Sequence, residues 1–406
     1  MPDDTSPTSP AGRVAPAATE RRAASRLARV ASFLAMDVLS AAGAIERAGG
    51  SVIHMELGEP SAPTPRRIRD AAKRALDGDR VSYTEALGRG ALRERIGRHY
   101  RDTYGVTVDP ARIVVTTGSS AGFVLAFLAL FEPGARVAVS APGYPAYRNI
   151  FAALGIEAVP VPLDDANGWT ITGAAVERLH AEAPLAGVLA MSPANPSGVT
   201  MKRETLAALA GACRRLGLWF VSDEIYHGLT YGVAAETALA FDDEAVIVNS
   251  FSKYYCMTGW RIGWLVLPER LVRGVERLAQ NLYISPPYLS QVAAEAAFDA
   301  IDELEAIKAG YAANRDLFLN ELPKMGLGKG PAADGAFYLY IDVSHLTDDS
   351  LTLSRAILRK AGVAVTPGLD FDPDNGGRFI RLSYAGSQAD CREAVSRLYS
   401  FVTANA

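Results

Sequence analysis

Two charged residues stand at the carboxyl ends of apolar runs, where a charge is costly unless something requires it. Leu218-Trp219-Phe220-Val221-Ser222 ends on Asp223, and Ala245-Val246-Ile247-Val248-Asn249 leads through Ser250-Phe251-Ser252 to Lys253. A lysine just past a buried strand can lie inside a cleft, where its amine gives up a proton readily and can form an imine with an aldehyde. A carboxylate at the end of so apolar a run needs a cationic partner. A protonated pyridine nitrogen is one, and a ring held in that state acts as an electron sink. Singly, each residue has a plainer reading, Lys253 as a surface charge and Asp223 as a helix N-cap. Their pairing is what points to chemistry.

Other strand ends add polar groups. Thr117-Gly118-Ser119-Ser120-Ala121-Gly122 precedes an apolar helix, and free N–H groups with two hydroxyls beside them suit a phosphate. Ser250, Ser252 and Arg261, the last within Thr258-Gly259-Trp260-Arg261-Ile262-Gly263, could complete such a cup. Ser192-Pro193-Ala194-Asn195-Pro196-Ser197-Gly198 is a turn able to aim the Asn195 amide, and Ala141-Pro142-Gly143-Tyr144-Pro145 presents the Tyr144 ring for stacking.

The elements that must position these groups are seven short apolar runs at 113–116, 136–140, 158–161, 187–191, 219–222, 245–249 and 262–267, most of them separated by amphipathic stretches. That alternation predicts an α/β fold, with a seven-stranded, mostly parallel sheet flanked by helices; ligands then bind beyond the carboxyl ends of the strands. A helical stretch from 271 towards 318, broken at Ser285-Pro286-Pro287, follows. Strand candidates at 336–341, 363–365 and 378–383 come after it, and near the other terminus a helical pattern over 26–45 precedes a strand-like 52–57. The reading is a large domain over 58–299 and a smaller α+β domain built from both termini, 26–57 and 300–406, behind a disordered tail over 1–25.

Composition narrows the class. The 406 residues are 49% hydrophobic and 21% charged with net charge −4, which gives no sign of a nucleic-acid or anionic-membrane surface. The apolar run at 121–131 falls well short of the roughly 20 residues of a membrane span. Three cysteines without CxxC spacing argue for a reducing compartment and against a disulfide framework or a metal site. The N-terminal segment lacks an apolar signal region, and Asp3, Asp4 and Glu20 disfavour a transit peptide.

Taken together, Ser250-Phe251-Ser252-Lys253 with Gly259-Trp260-Arg261-Ile262-Gly263, Asn195-Pro196-Ser197-Gly198 and Asp223-Glu224-Ile225-Tyr226 resemble the fold-type I aminotransferases of class I/II, in the aspartate aminotransferase superfamily, from about residue 26 to the end. The resemblance implies pyridoxal 5′-phosphate held as a Schiff base on Lys253, which also shuttles the proton. Asp223 would pair the pyridinium nitrogen, Asn195 and Tyr226 would bond the 3′-oxygen, and Tyr144 would stack on the ring. Ser119, Ser120, Ser250, Ser252 and Arg261 would hold the phosphate, joined by Tyr83 from the partner subunit of a homodimer with shared active sites. Arg381, in Phe379-Ile380-Arg381-Leu382-Ser383, would clamp the substrate carboxylate with Asn195 and the backbone of Gly58; Arg378, three residues upstream on a strand, should face the other way.

The implied reaction moves an amino group from an L-amino acid to a 2-oxo acid, 2-oxoglutarate by family habit, with ping-pong kinetics in the cytoplasm. A β-lyase on the same cofactor is the competing enzymatic reading, and a non-catalytic cofactor-sensing protein a remote one, since the segment before residue 26 is too short for a winged helix. Phe33, Met36, Tyr283 and the 26–39 segment are the candidates for selecting the donor, and His227 is a minor one. No second arginine is assignable to a dicarboxylate.

Overall fold

A computed structural model describes residues 23–78 and 80–405, so the expected tail over 1–25 lies almost wholly outside the described residues. All seven apolar runs form strands of a single sheet. Its order is Ile113–Thr116, Gly263–Val266, Val246–Ser250, Trp219–Asp223, Gly187–Met191, Arg136–Ala141, Glu157–Pro162. The pairings from Val246–Ser250 to Glu157–Pro162 are parallel, whereas Gly263–Val266 runs antiparallel to both of its neighbours. That reversal positions the site: the amino end of Gly263–Val266 reaches the rim where its neighbours end, with Gly263 paired to Thr116 and Ser250.

Successive strand side chains point to opposite faces, and here both faces are covered. Val114, Val137, Leu189, Val221, Val248 and Leu265 pack into one layer with Phe123, Phe127 and Phe151. Val115, Ala138, Val188, Phe220, Ile247 and Trp264 pack into the other. Burial on both sides is why the runs read as continuously apolar rather than alternating. The apolar run at 121–131 lies in the helix Gly118–Leu130, packed on the first of these layers, and among the described residues no helix is long and apolar enough to cross a membrane.

A second core lies under two small sheets. Thr366–Pro367, Phe379–Ser383 and Tyr338–Asp342 form an antiparallel trio, and Ile53–His54 pairs in parallel with Val363–Ala364, joining chain segments more than 300 residues apart. Met55, Phe337, Tyr338, Ile341, Ile380, Leu382 and Tyr384 fill the core beneath. Of the strand expected over 52–57, Ile53–His54 forms the strand, and the Met55 backbone adds hydrogen bonds to Ala364 and Ser383.

Two helical expectations are corrected. The pattern over 26–45 divides into a 3-10 turn, Ser25–Arg29, and the helix Leu34–Arg47. The division falls at Phe33, which is extended, because the first N–H groups of the new helix, at Leu34 and Ala35, are taken by the two oxygens of Asp370 at 3.0 and 3.1 Å. A cap supplied from so far along the chain leaves no local signal. The stretch from 271 to 318 breaks twice, giving Glu269–Leu282, Tyr288–Ala297 and Ile301–Glu321. The second break, at Phe298 to Ala300, has no proline to announce it.

Candidate active site

A cavity of about 170 Å³ opens where the rim of the large sheet meets the three-stranded sheet, and most of the residues singled out in the sequence line it. Lys253 follows the strand Val246–Ser250, and its amine donates to the Gly58 carbonyl at 2.6 Å. Burial lowers its pKa to about 8; Glu59 and Asp223 oppose that shift, and Arg381 and Arg261 add to it. The amine is therefore easier to deprotonate than an ordinary lysine.

Asp223 ends its strand only 1% exposed. Burial raises its pKa to about 6, against the O–H of Tyr147, which donates to Oδ2, the Ile225 N–H, which donates to Oδ1 at 3.1 Å, and the more distant charge of Lys253. Among the described residues no cationic side chain forms an ion pair with it. A buried carboxylate satisfied only by neutral donors is suited to an incoming cation, which would restore its ionised form.

At the opposite wall, Ser119 and Ser120 occupy the first turn of the helix Gly118–Leu130, whose N-terminus no side chain caps. Gly118 has φ of 78°, and a Cβ there would come within 2.4 Å of the Arg261 guanidinium, so the chain bends tightly against that side chain. Arg261 itself sits in the left-handed region, with φ of 50°. Ser252 also lines the cavity. Three hydroxyls, a helix N-terminus and a guanidinium make an anion cradle. Ser250 stands one step behind it: its hydroxyl donates to the Ile262 carbonyl at 3.0 Å and meets the Ser252 hydroxyl at 2.9 Å, so it does not line the cavity.

Arg381 is the second cation of the cavity wall, 2% exposed. Nη1 donates to Asn195 Oδ1 at 2.9 Å, and Nη2 donates to the Glu56 carbonyl and to Thr366 Oγ1. The guanidinium lies 4.4 Å from the centroid of the Tyr338 ring and 4.7 Å from that of Phe371, while Nε is buried without an acceptor. Asn195 extends from a loop in which the bonds before Pro193 and Pro196 are cis. Tyr144 lines the cavity with its ring edge-on to Phe33 (6.1 Å) and Tyr147 (5.3 Å), and burial pushes its hydroxyl pKa up to about 12. Arg378 lines a separate surface cavity, away from Arg381.

Some sequence candidates lie elsewhere. Tyr83 is 78% exposed and outside the cavity in a single chain, and Met36 is 49% exposed. Tyr283 does not reach the cavity either, whereas Phe33 does. His227 is buried behind the sheet, 2.7 Å from the Tyr104 hydroxyl, and burial depresses its pKa to about 3. Conversely, sequence reading missed Tyr338 on the wall and Tyr147 behind Asp223. Both look like core aromatics, yet a buried tyrosine hydroxyl needs a partner, and here those partners belong to the site.

The residues fit pyridoxal phosphate on their own geometry: an anion cradle at one end, a buried carboxylate lacking a cation, an aromatic face, and an amine of lowered pKa. Among the described residues no group of three or more His, Cys, Asp or Glu is placed to hold a metal.

Known proteins agree. Residues 51–398 match the family model described as Aminotransferase class I and II. A valine–pyruvate aminotransferase of Mycobacterium tuberculosis is 45% identical over 379 residues, covering 92% of this chain and 97% of that one. An arginine–pyruvate transaminase of Pseudomonas aeruginosa is 32% identical over 355 residues, covering 86% and 90%. The crystal structure of an aminotransferase from Mycobacterium tuberculosis superposes with a TM-score of 0.92 at 45% identity, over 95% of this chain and 100% of that one.

Proposed function

The chain belongs to the class I and II aminotransferases, which depend on pyridoxal phosphate, and we propose that it passes the amino group of a small apolar 2-amino acid to pyruvate. The observation that carries this is a single cavity in which a lysine of lowered pKa, a buried carboxylate without a cation and a carboxylate-reading arginine meet. The cavity lining supports an apolar donor: Phe33, Ala35 and Leu57 line it, and Lys253, Arg261 and Arg381 are its basic side chains. Two relatives named for pyruvate support the acceptor. 2-Oxoglutarate, expected by family habit, is the alternative to measure beside it.

The residue roles in this proposal are those the family resemblance implies, and the placement of the side chains around the cavity supports them. Arg381 receives the substrate carboxylate, with Asn195 Oδ1 on Nη1 fixing the plane of the guanidinium. Bound pyridoxal phosphate supplies an electron sink for charge developing at the substrate Cα. Lys253 Nζ, released from the Gly58 carbonyl, would be the base that takes the substrate Cα proton and holds it for return. Asp223 would keep a proton on the cofactor's ring nitrogen. Tyr226 and Asn195 would donate hydrogen bonds to the ring oxygen, Tyr144 would cover the ring, and Ser119, Ser120, Ser252 and Arg261 would hold the phosphate, with Ser250 orienting Ser252. The two half-reactions share one site and so give ping-pong kinetics.

The proposal includes a homodimer in which the exposed Tyr83 of each chain completes the phosphate site of the other. It also includes a cytoplasmic location, to which three buried, unpaired cysteines are suited. The division into a 58–299 domain and one from 26–57 with 300–406 belongs to the same reading. A screen of amino donors against pyruvate and 2-oxoglutarate tests it. Valine with pyruvate is expected to give the highest kcat/KM and parallel lines in a double-reciprocal plot. Preference for a dicarboxylic donor, or release of pyruvate and ammonia without an acceptor, would contradict it.

A further inference from the structure

The hydroxyls of Tyr226 and Tyr338 lie 2.5 Å apart, both residues buried and both on the cavity wall. Each hydroxyl has one proton, so the pair has a direction. An ionised ring oxygen can only accept, so if Tyr226 serves it, the Tyr226 proton is committed to the cavity. The oxygen of Tyr226 is then free to accept, and among the described residues the Tyr338 O–H has no other acceptor. Burial holds both hydroxyls protonated.

Two further contacts fix Tyr338 in this arrangement. The Arg381 guanidinium lies over its ring at 4.4 Å, and a cation on the ring face makes the phenol a stronger donor. At the hydroxyl end, Gly58 approaches so closely that a Cβ there would stand 2.1 Å from the Tyr338 oxygen. The strand Tyr338–Asp342 pairs directly with Phe379–Ser383, Tyr340 opposite Arg381, so ring and guanidinium are carried by adjacent strands.

We propose that Tyr338 is a positioning residue of the transamination site: it donates to Tyr226, turns the Tyr226 proton towards the cofactor's ring oxygen and strengthens that bond by relay. The inference rests on the proposed role of Tyr226 in holding pyridoxal phosphate. Hydrogen bonds in series polarise one another, so removing the outer donor weakens the inner one without removing any group that touches the cofactor.

The test is a pH titration of the visible absorbance of the cofactor-loaded protein, which reads the protonation of the bound chromophore rather than turnover. Tyr338→Phe keeps the ring under Arg381 and deletes only the outer proton. Its midpoint is expected to rise by about half a unit to one unit. Tyr226→Phe is expected to raise it further, and adding Tyr338→Phe to Tyr226→Phe is expected to change nothing more, because the relay is already cut. Gly58→Ala, which displaces the Tyr338 hydroxyl and leaves its ring intact, should move the midpoint in the same direction. An unmoved midpoint in Tyr338→Phe and Gly58→Ala, or an undiminished Tyr338→Phe shift in the Tyr226→Phe background, overturns the relay while leaving the aminotransferase reading intact. Wild-type protein that takes up no cofactor overturns both.

Discussion

Lys253, Asp223, Ser119 and Ser252 each stand within three residues of the end of a strand in one sheet, and that sheet is buried on both faces. Arg381, in the same cavity, is held differently. Its partners are Asn195, the Glu56 carbonyl, Thr366 and the rings of Tyr338 and Phe371, drawn from segments scattered over more than 300 residues. The rim groups sit at or just beyond strand ends of one sheet; Arg381 lies within the strand Phe379–Ser383, between Thr366 and Tyr340, and its guanidinium is held by groups from several separate segments. Chemistry that tolerates no displacement suits the first construction, and adjustment to different donors suits the second.

Variants on the two sides should therefore fail in different ways. The largest effect is expected for Lys253→Ala, with kcat/KM falling by about 10⁴-fold in steady-state assays while circular dichroism stays unchanged. Appreciable residual transamination would remove the rim from the centre of the comparison. Arg381→Lys loses the planar fork and should cost roughly 10²-fold, near 3 kcal/mol, in donor kcat/KM with the cofactor spectrum retained. Loss of the cofactor instead would mean that the two ends are one structural unit.

Asp370→Asn removes the charge that caps the helix beginning at Leu34. About 1 kcal/mol of stability is expected to go with it, seen as a lower urea midpoint. A few-fold rise in donor KM should accompany it, because Phe33 and Ala35 lose their anchor, with kcat nearly kept. An effect confined to kcat would contradict the assignment of this segment to substrate fit.

The smallest effect concerns His54, which bridges Glu46 at 3.2 Å and Glu56 at 2.8 Å beside the backbone that holds Arg381. Burial lowers its pKa, but hydrogen bonding and attraction from Glu56 and then Glu46 outweigh that and leave it raised. A raised folded-state value means the bridge stabilises fully below the unfolded pKa of 6.5 and fades as pH rises through the folded value. With His54 partly exposed, solvent screening holds the contribution to a few tenths of a kcal/mol. Unfolding midpoints of wild type and His54→Gln should separate most below the unfolded pKa of 6.5 and converge as pH rises through the raised folded value.

The same contrast explains what could be read from the sequence. The seven strands and the residues at their ends were legible because both are local: an apolar run, then a Ser, Asp or Lys just beyond it. The antiparallel course of Gly263–Val266 was not, because direction depends on pairing with Ile113–Thr116 about 150 residues away. Nor was the break at Phe33, whose cause is Asp370, or the part played by Tyr338, whose hydroxyl finds Tyr226 across 112 positions. Ser250 shows the limit of motif reading within a correct motif: it lies in the right run but supports Ser252 instead of facing the cavity.

One measurement reaches the central claim directly. Purified protein incubated with pyridoxal phosphate, reduced with borohydride and mapped by peptide mass spectrometry should carry the reduced cofactor on Lys253, with yellow colour lost on reduction. Colourless protein, or a modification mapped to another lysine, would contradict the account.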